Sequence, residues 1–117
     1  HNYWLNEKNA WIVPEITKAG YVFVEVSSRK FNDDLSIRLL KQAARELLLS
    51  ESSDWSFILR ADTTTELANE RIHRHLFRFW KLIDMLDKRS IIDYKFLEYI
   101  EEEDNIFPEI RIKDWQL

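Results

Sequence analysis

A single glycine, Gly20, in 117 residues is the tightest constraint on what this chain can build. Gly-rich phosphate loops and dinucleotide fingerprints need several glycines, because only a residue without a Cβ lets the backbone approach a phosphate closely. A nucleophile elbow needs glycine on both sides of its serine. All three are excluded. Cysteine is absent altogether, which removes disulfides, thiolate chemistry and cysteine-ligated metals. Small secreted domains often depend on disulfides, so this absence points to the cytoplasm.

The residues are 45% hydrophobic and 32% charged, too apolar for disorder and too charged for a membrane protein. No apolar run approaches the ~20 residues that a membrane span needs. The sequence opens with His1, and no basic stretch followed by an apolar one marks a secretory leader. Without a repeat, a low-complexity tract or a Pro/Gly/Ser-rich linker, residues 1–117 read as a single domain.

Local patterning predicts a mixed α and β order. Tyr3-Trp4-Leu5 and Trp11-Ile12-Val13 read as short strands, with Pro14 ending the second. Gly20 opens Tyr21–Val26, the most strand-like segment, whose valines would face helices. Asn32 or Asp33 can cap a helix reaching about Leu49, with Ile37, Leu39, Leu40, Ala43, Ala44, Leu47 and Leu48 on its apolar face. A loop at Ser50–Asp54 leads to a strand at Trp55–Leu59. Thr63-Thr64-Thr65-Glu66 matches a capping box and opens the longest helix, to about residue 88, with Ile72, Leu76, Phe79, Ile83 and Leu86 on one face. Residues 91–103 fit a helix or a strand, and Glu109–Lys113 alternates as a last strand. The expected fold class is therefore α/β or α+β, β-β-β-α-β-α-(α)-β. It has a mixed sheet of about five strands, with two or three helices packed mainly on one face.

Chemistry is hard to find in this pattern. His73 and His75 form an H-x-H pair, but on a helix they point about 200° apart and cannot share one ion. Glu66 with Glu70 and Asp84 with Asp87 have helical spacing suited to acid–base work, yet solvated carboxylates at such spacings are ordinary. No oxyanion hole accompanies the serines. No cofactor, metal site or catalytic residue is assigned. An enzyme with a site assembled from distant carboxylates and histidine stays a lesser alternative.

Charge offers two surfaces. Arg38, Lys41 and Arg45 on one helix and Arg71, Arg74, Arg78 and Lys81 on the other form basic stripes that could bind nucleic acid or another polyanion. Glu98, Glu101, Glu102, Glu103, Asp104 and Glu109 form an acidic run, with Phe107 and Trp115 beside it and Phe77 off the apolar face of its helix. Aromatic anchors rimmed by charge are the usual anatomy of a protein interface. The leading expectation is a non-enzymatic protein-binding module: an acidic inhibitor, immunity protein or antitoxin that blocks a basic enzyme or toxin. Polyanion binding and a homodimer of complementary faces are the alternatives, and no membrane partner is expected.

Overall fold

The computed structural model describes residues 11–59 and 65–106, and there the chain is all helical: α1 (Ile12–Ser27), α2 (Asp34–Leu59), α3 (Thr65–Leu86) and α4 (Tyr94–Glu103). No strand occurs among the described residues. The expected five-stranded mixed sheet, and with it the α/β or α+β class, is corrected to an all-α arrangement. The expected strands at 3–5 and 109–113 and the cap at Thr63 lie outside the described residues.

The clearest reversal is at Tyr21–Val26, which is the second half of α1. The buried residues of α1 include Ile12, Ile16, Ala19, Phe23 and Val26, spaced by three and four as one face of a helix requires. Within the segment taken for a strand, Tyr21 is 76% exposed while Phe23 and Val26 are fully buried, so the two-residue alternation is broken. Helix propensity disfavours a β-branched or aromatic residue by at most about 0.7 kcal/mol. Burying one large apolar side chain is worth about 1.5–3 kcal/mol. Five positions on a helical stripe therefore outweigh the local preference for strand. Pro14 falls in the first turn of α1, where its missing N–H would have had no intrahelical partner anyway.

In α2, Asp33 provides the N-cap, accepting from the Ser36 N–H at 2.9 Å. The helix runs through Ser50–Asp54, the expected loop, and takes in Trp55–Leu59, the expected strand. Serine and aspartate disfavour a helix only by tenths of a kcal/mol each, and no glycine or proline interrupts the run. Ser50 is buried and its hydroxyl donates to the Leu47 carbonyl at 2.7 Å, so it enters the interior satisfied.

The α3 core face holds Ile72, Leu76, Phe79, Leu82, Ile83, Met85 and Leu86. Its C-terminus closes in a Schellman arrangement, with the Arg89 N–H on the Asp84 carbonyl (2.8 Å), the Lys88 N–H on that of Met85 (3.2 Å) and Lys88 left-handed at φ 62°. The ambiguous segment 91–103 resolves as α4, capped by Asp93, which accepts from the Phe96 N–H at 3.0 Å. Leu97 and Ile100 are its buried contacts.

The principal interface lies between α2 and α3; α1 packs on both, and α4 packs on α2. Phe23 of α1 and Phe79 of α3 meet at the centre, with ring centroids 6.3 Å apart. No described helix is long and apolar enough to cross a membrane.

Candidate functional site

Helix α2 is covered over so much of its middle that polar residues there are buried too. Gln42 and Glu46 are fully inaccessible and Arg45 is nearly so. Burying charge without partners costs several kcal/mol per ion, so these groups must find one another. They do so with His75 and Arg78 of α3 and with Asp104, the C-cap of α4.

The centre of this cluster is the Nδ1 of His75, 2.8 Å from a Glu46 carboxylate oxygen and 3.4 Å from one of Asp104. Arg78 donates from Nη1 to Asp104 at 2.6 Å, and its Nη2 lies 2.7 Å from Glu103. Gln42 Nε2 donates to Glu46 at 2.9 Å and to the Ile100 carbonyl at 3.2 Å. Arg45 donates from Nη1 to the Gln42 amide oxygen at 2.9 Å and from Nε to the Ile106 carbonyl at 2.8 Å. The cluster therefore ties α2, α3, the end of α4 and the segment after it into one unit.

Its electrostatics separate the two carboxylates. Burial pushes Glu46 up to about 7, against hydrogen bonds from His75 and Gln42 that favour its charged form. Burial would raise Asp104 as well, but hydrogen bonding with His75, Glu46 and Arg78 holds it well below the usual carboxylate range. Burial opposes a charged His75, yet hydrogen bonds to Asp104 and Glu46 outweigh it and raise the imidazole. These shifts favour a proton on the Glu46–His75 pair and a charged Asp104.

One ligand atom from each of Glu46, His75 and Asp104 lies within 4.8 Å of the others, a spacing that a metal ion could bridge. The donors around them suit a shared proton better. An ion would have to take the His75 Nδ1 lone pair and sit beside the Arg78 guanidinium, which already contacts Asp104. With Glu46 at 0% exposure and His75 at 5%, the cluster is an internal staple that excludes solvent. It has acid–base groups but no access for a substrate.

The two charged surfaces read from the sequence meet in part inside this chain, through Arg38 and Arg78. Arg38 forms a two-pronged bridge with Glu101, at 2.7 and 2.8 Å. Arg78 takes Glu103 and Asp104, and Lys81 reaches Asp93 at 3.2 Å while lying over the Phe96 ring. Arg45 is buried as described. Lys41, Arg71 and Arg74 make no ion pair among the described residues. Glu98 and Glu102 are exposed and likewise unpaired, and Phe77 is 64% exposed. Phe107, Glu109 and Trp115 lie outside the described residues. His73 is exposed and stacks on Trp11 at 4.0 Å, on the far side of α3 from His75.

Sequence reasoning missed Gln42 and Glu46 as site residues and considered His75 only as one of an H-x-H pair that cannot share an ion. The usable signal was the crowding of Leu39, Leu40, Ala43, Ala44 and Leu47 around them. A helix apolar over so much of its circumference is central, so polar residues among those positions must be buried and paired.

Comparison with known proteins bears on the whole chain. A family model described as 1,4-alpha-glucan branching enzyme, C-terminal, matches residues 15–115. The chain is 38% identical over 111 residues to a 1,4-alpha-glucan branching enzyme of Thermococcus kodakarensis, an alignment covering 92% of this chain and 16% of that protein. The crystal structure of the alpha-amylase AmyC from Thermotoga maritima superposes with a TM-score of 0.79 at 35% identity, covering 94% of this chain and 21% of the other. The chain thus spans about a fifth or less of these relatives. The expectation of a non-enzymatic inhibitor, immunity protein or antitoxin is overturned by these matches, which align the chain with the C-terminal region of an enzyme family.

Proposed function

Since this chain belongs to the family of C-terminal domains of 1,4-alpha-glucan branching enzymes, we propose that it is the helical part of a larger enzyme that introduces branches into 1,4-alpha-glucan. The observation that carries this reading is the family match over residues 15–115, which takes in all of α2, α3 and α4 and most of α1. The contribution of the chain is a rigid platform. The one concentrated acid–base cluster among the described residues is sealed from solvent and engaged with the chain's own arginines, which supports placing the reacting groups elsewhere in the enzyme.

The test uses the full-length protein on amylose, counting branch points by the proton resonance of the new linkage. Wild type should form branches, and Glu46→Gln should keep the rate within a few-fold. A positioned general acid or base contributes about 10²–10⁴-fold. A loss of that size in a folded Glu46→Gln enzyme would put this chain in the chemistry and overturn the platform role. A wild-type enzyme that makes no branches would overturn the reading as a whole. The likeness to AmyC supports a second reading, in which the enzyme hydrolyses glucan. New reducing ends without new branch points would select it.

A further inference from the structure

Between α1 and α3 runs an open groove of about 540 Å³, within the roughly 300–1,000 Å³ typical of small-ligand clefts. Its apolar floor includes Val22, Val26 and Ile83, and Trp80 forms one wall. Glu15, Lys18 and Asp84 line it as well. Arg29 closes one end, bridging to Glu25 and to Asp87. None of this belongs to the buried cluster around His75.

The lining discriminates among ligand classes. An anion would face the carboxylates of Glu15, Asp84 and Asp87, while Arg29 is already committed to two carboxylates and Arg89 lies 3.9 Å from Asp87. A small cation would meet Glu15 and Asp84 but also the Lys18 ammonium, which lies 5.7 Å from the Trp80 ring centroid. A purely apolar ligand would bury these charges unpaired, which is costly. A neutral polyhydroxylated chain satisfies every group. Its C–H faces can lie on the indole, and its hydroxyls can donate to Glu15 and Asp84 and accept from Lys18. Neither carboxylate has a hydrogen bond or ion pair among the described residues, so both are available as acceptors. Lys18 is exposed on a flexible stem and can leave the ring to make room. The groove is open to solvent on one side, which suits a segment of polymer lying in it.

We propose that the α1–α3 groove, walled by Trp80 and lined by Glu15, Lys18 and Asp84, is a binding site for a segment of 1,4-linked glucan, separate from the reacting groups of the enzyme. The polymer's identity rests on the function proposed above; the preference for a neutral sugar chain rests on the groove alone.

The full-length protein is subjected to hydrogen–deuterium exchange with and without maltoheptaose, with cellohexaose as the control. Maltoheptaose should slow exchange in peptides covering 15–29 and 80–89, and cellohexaose should do so less. Glu15→Ala with Asp84→Ala should raise the concentration needed for half-protection by about tenfold for each charge-assisted hydrogen bond lost. Both positions lie at the surface of their helices, so the thermal midpoint should hold. Trp80→Phe retains an aromatic wall and should weaken protection less than the double variant. Exchange in these peptides that maltoheptaose leaves unchanged overturns the site, as does protection that survives the double variant. Branching is assayed on the same samples. Active enzyme without groove protection removes this site alone, whereas protection in an enzyme that forms no branches removes the branching function and leaves the site standing.

Discussion

Gly20 shows how a residue can be read correctly as a constraint and wrongly as a signal. Its solitude excludes phosphate loops whatever the fold. Its position before a run of valines and aromatics suggests the start of a strand, but it lies inside α1, and an added Cβ there would meet nothing within 4 Å. Its φ is not positive, so no left-handed conformation requires it. Glycine in a helix interior is less favourable than alanine by about 0.5–1 kcal/mol, largely through the freedom it has when unfolded. Gly20→Ala should stabilise the protein by about that amount, measured as a higher denaturant midpoint at unchanged slope. A lower midpoint would mean that the backbone at this position is not helical. His75 makes the complementary point. Its neighbours in sequence identify a helix, but nothing local reveals that Glu46, 29 positions earlier, lies 2.8 Å from its ring.

At the level of the elements, caps and stops explain the boundaries better than propensities explain the interiors. Of the two expected caps, Asn32 and Asp33, the structure selects Asp33, whose carboxylate accepts from the Ser36 N–H. Asp93 has the same role for α4, where the sequence left helix and strand open, and it also pairs with Lys81. An isolated ten-residue helix is marginal in water, so α4 depends on this cap and on Leu97 and Ile100 for its docking. Asp93→Ala should speed amide exchange at Phe96 and Leu97 while leaving the centre of α3 protected. Equal acceleration in both helices would show that α4 is not a separately opening unit. Apolar faces were legible where the period was 3.6 and long: Leu39, Leu40, Ala43, Ala44 and Leu47 of α2 and Ile72, Leu76, Phe79, Ile83 and Leu86 of α3 are buried as the spacing predicts, while Ile37 and Leu48, expected on the same α2 face, are half-buried. In α1 the same period was present but hidden. Its spacers, Val22 and Val24, are themselves apolar and half-buried, so a window of six residues could not tell a stripe from an alternation.

For the molecule as a whole, the buried cluster should set how stability varies with pH. Glu46 has a folded pKa raised to about 7 from an ordinary 4.5, so the folded state holds a proton there that the unfolded state has released. Its contribution is full below about pH 4.5 and is lost as pH rises towards 7. The raised pKa of His75 acts in the same direction, from about 6.5 upward. Asp104 is depressed, so its contribution is present above its ordinary 3.8 and is lost as pH falls below that. The thermal midpoint should therefore be highest near pH 5 and decline through pH 8. Glu46→Gln, which cannot lose the proton, should flatten the decline between pH 5 and 7. A midpoint that rises over this interval in the wild type, or an equally steep decline in the variant, would show that Glu46 is not protonated in the fold. The charged stripes belong to this scale too. Read along the chain, the cations of α2 and α3 and the acids of α4 look like surfaces for two different partners, yet Arg38 with Glu101 and Arg78 with Glu103 and Asp104 make them partners of each other.

What the sequence determined by itself was local or compositional. It excluded glycine-rich and cysteine-dependent chemistry, identified the long helical faces of α2 and α3 and placed a cap at Asn32 or Asp33. These follow from bond geometry and from interactions within about one helical turn, which neighbouring residues specify completely. The tertiary structure alone decided that Tyr21–Val26 is helical, because the choice turns on whether Phe23 has Phe79 to pack against. It alone decided which charges face water, because a residue's burial is a property of the elements that cover it. Glu46, His75 and Asp104 become one site only when α2, α3 and the end of α4 close over them.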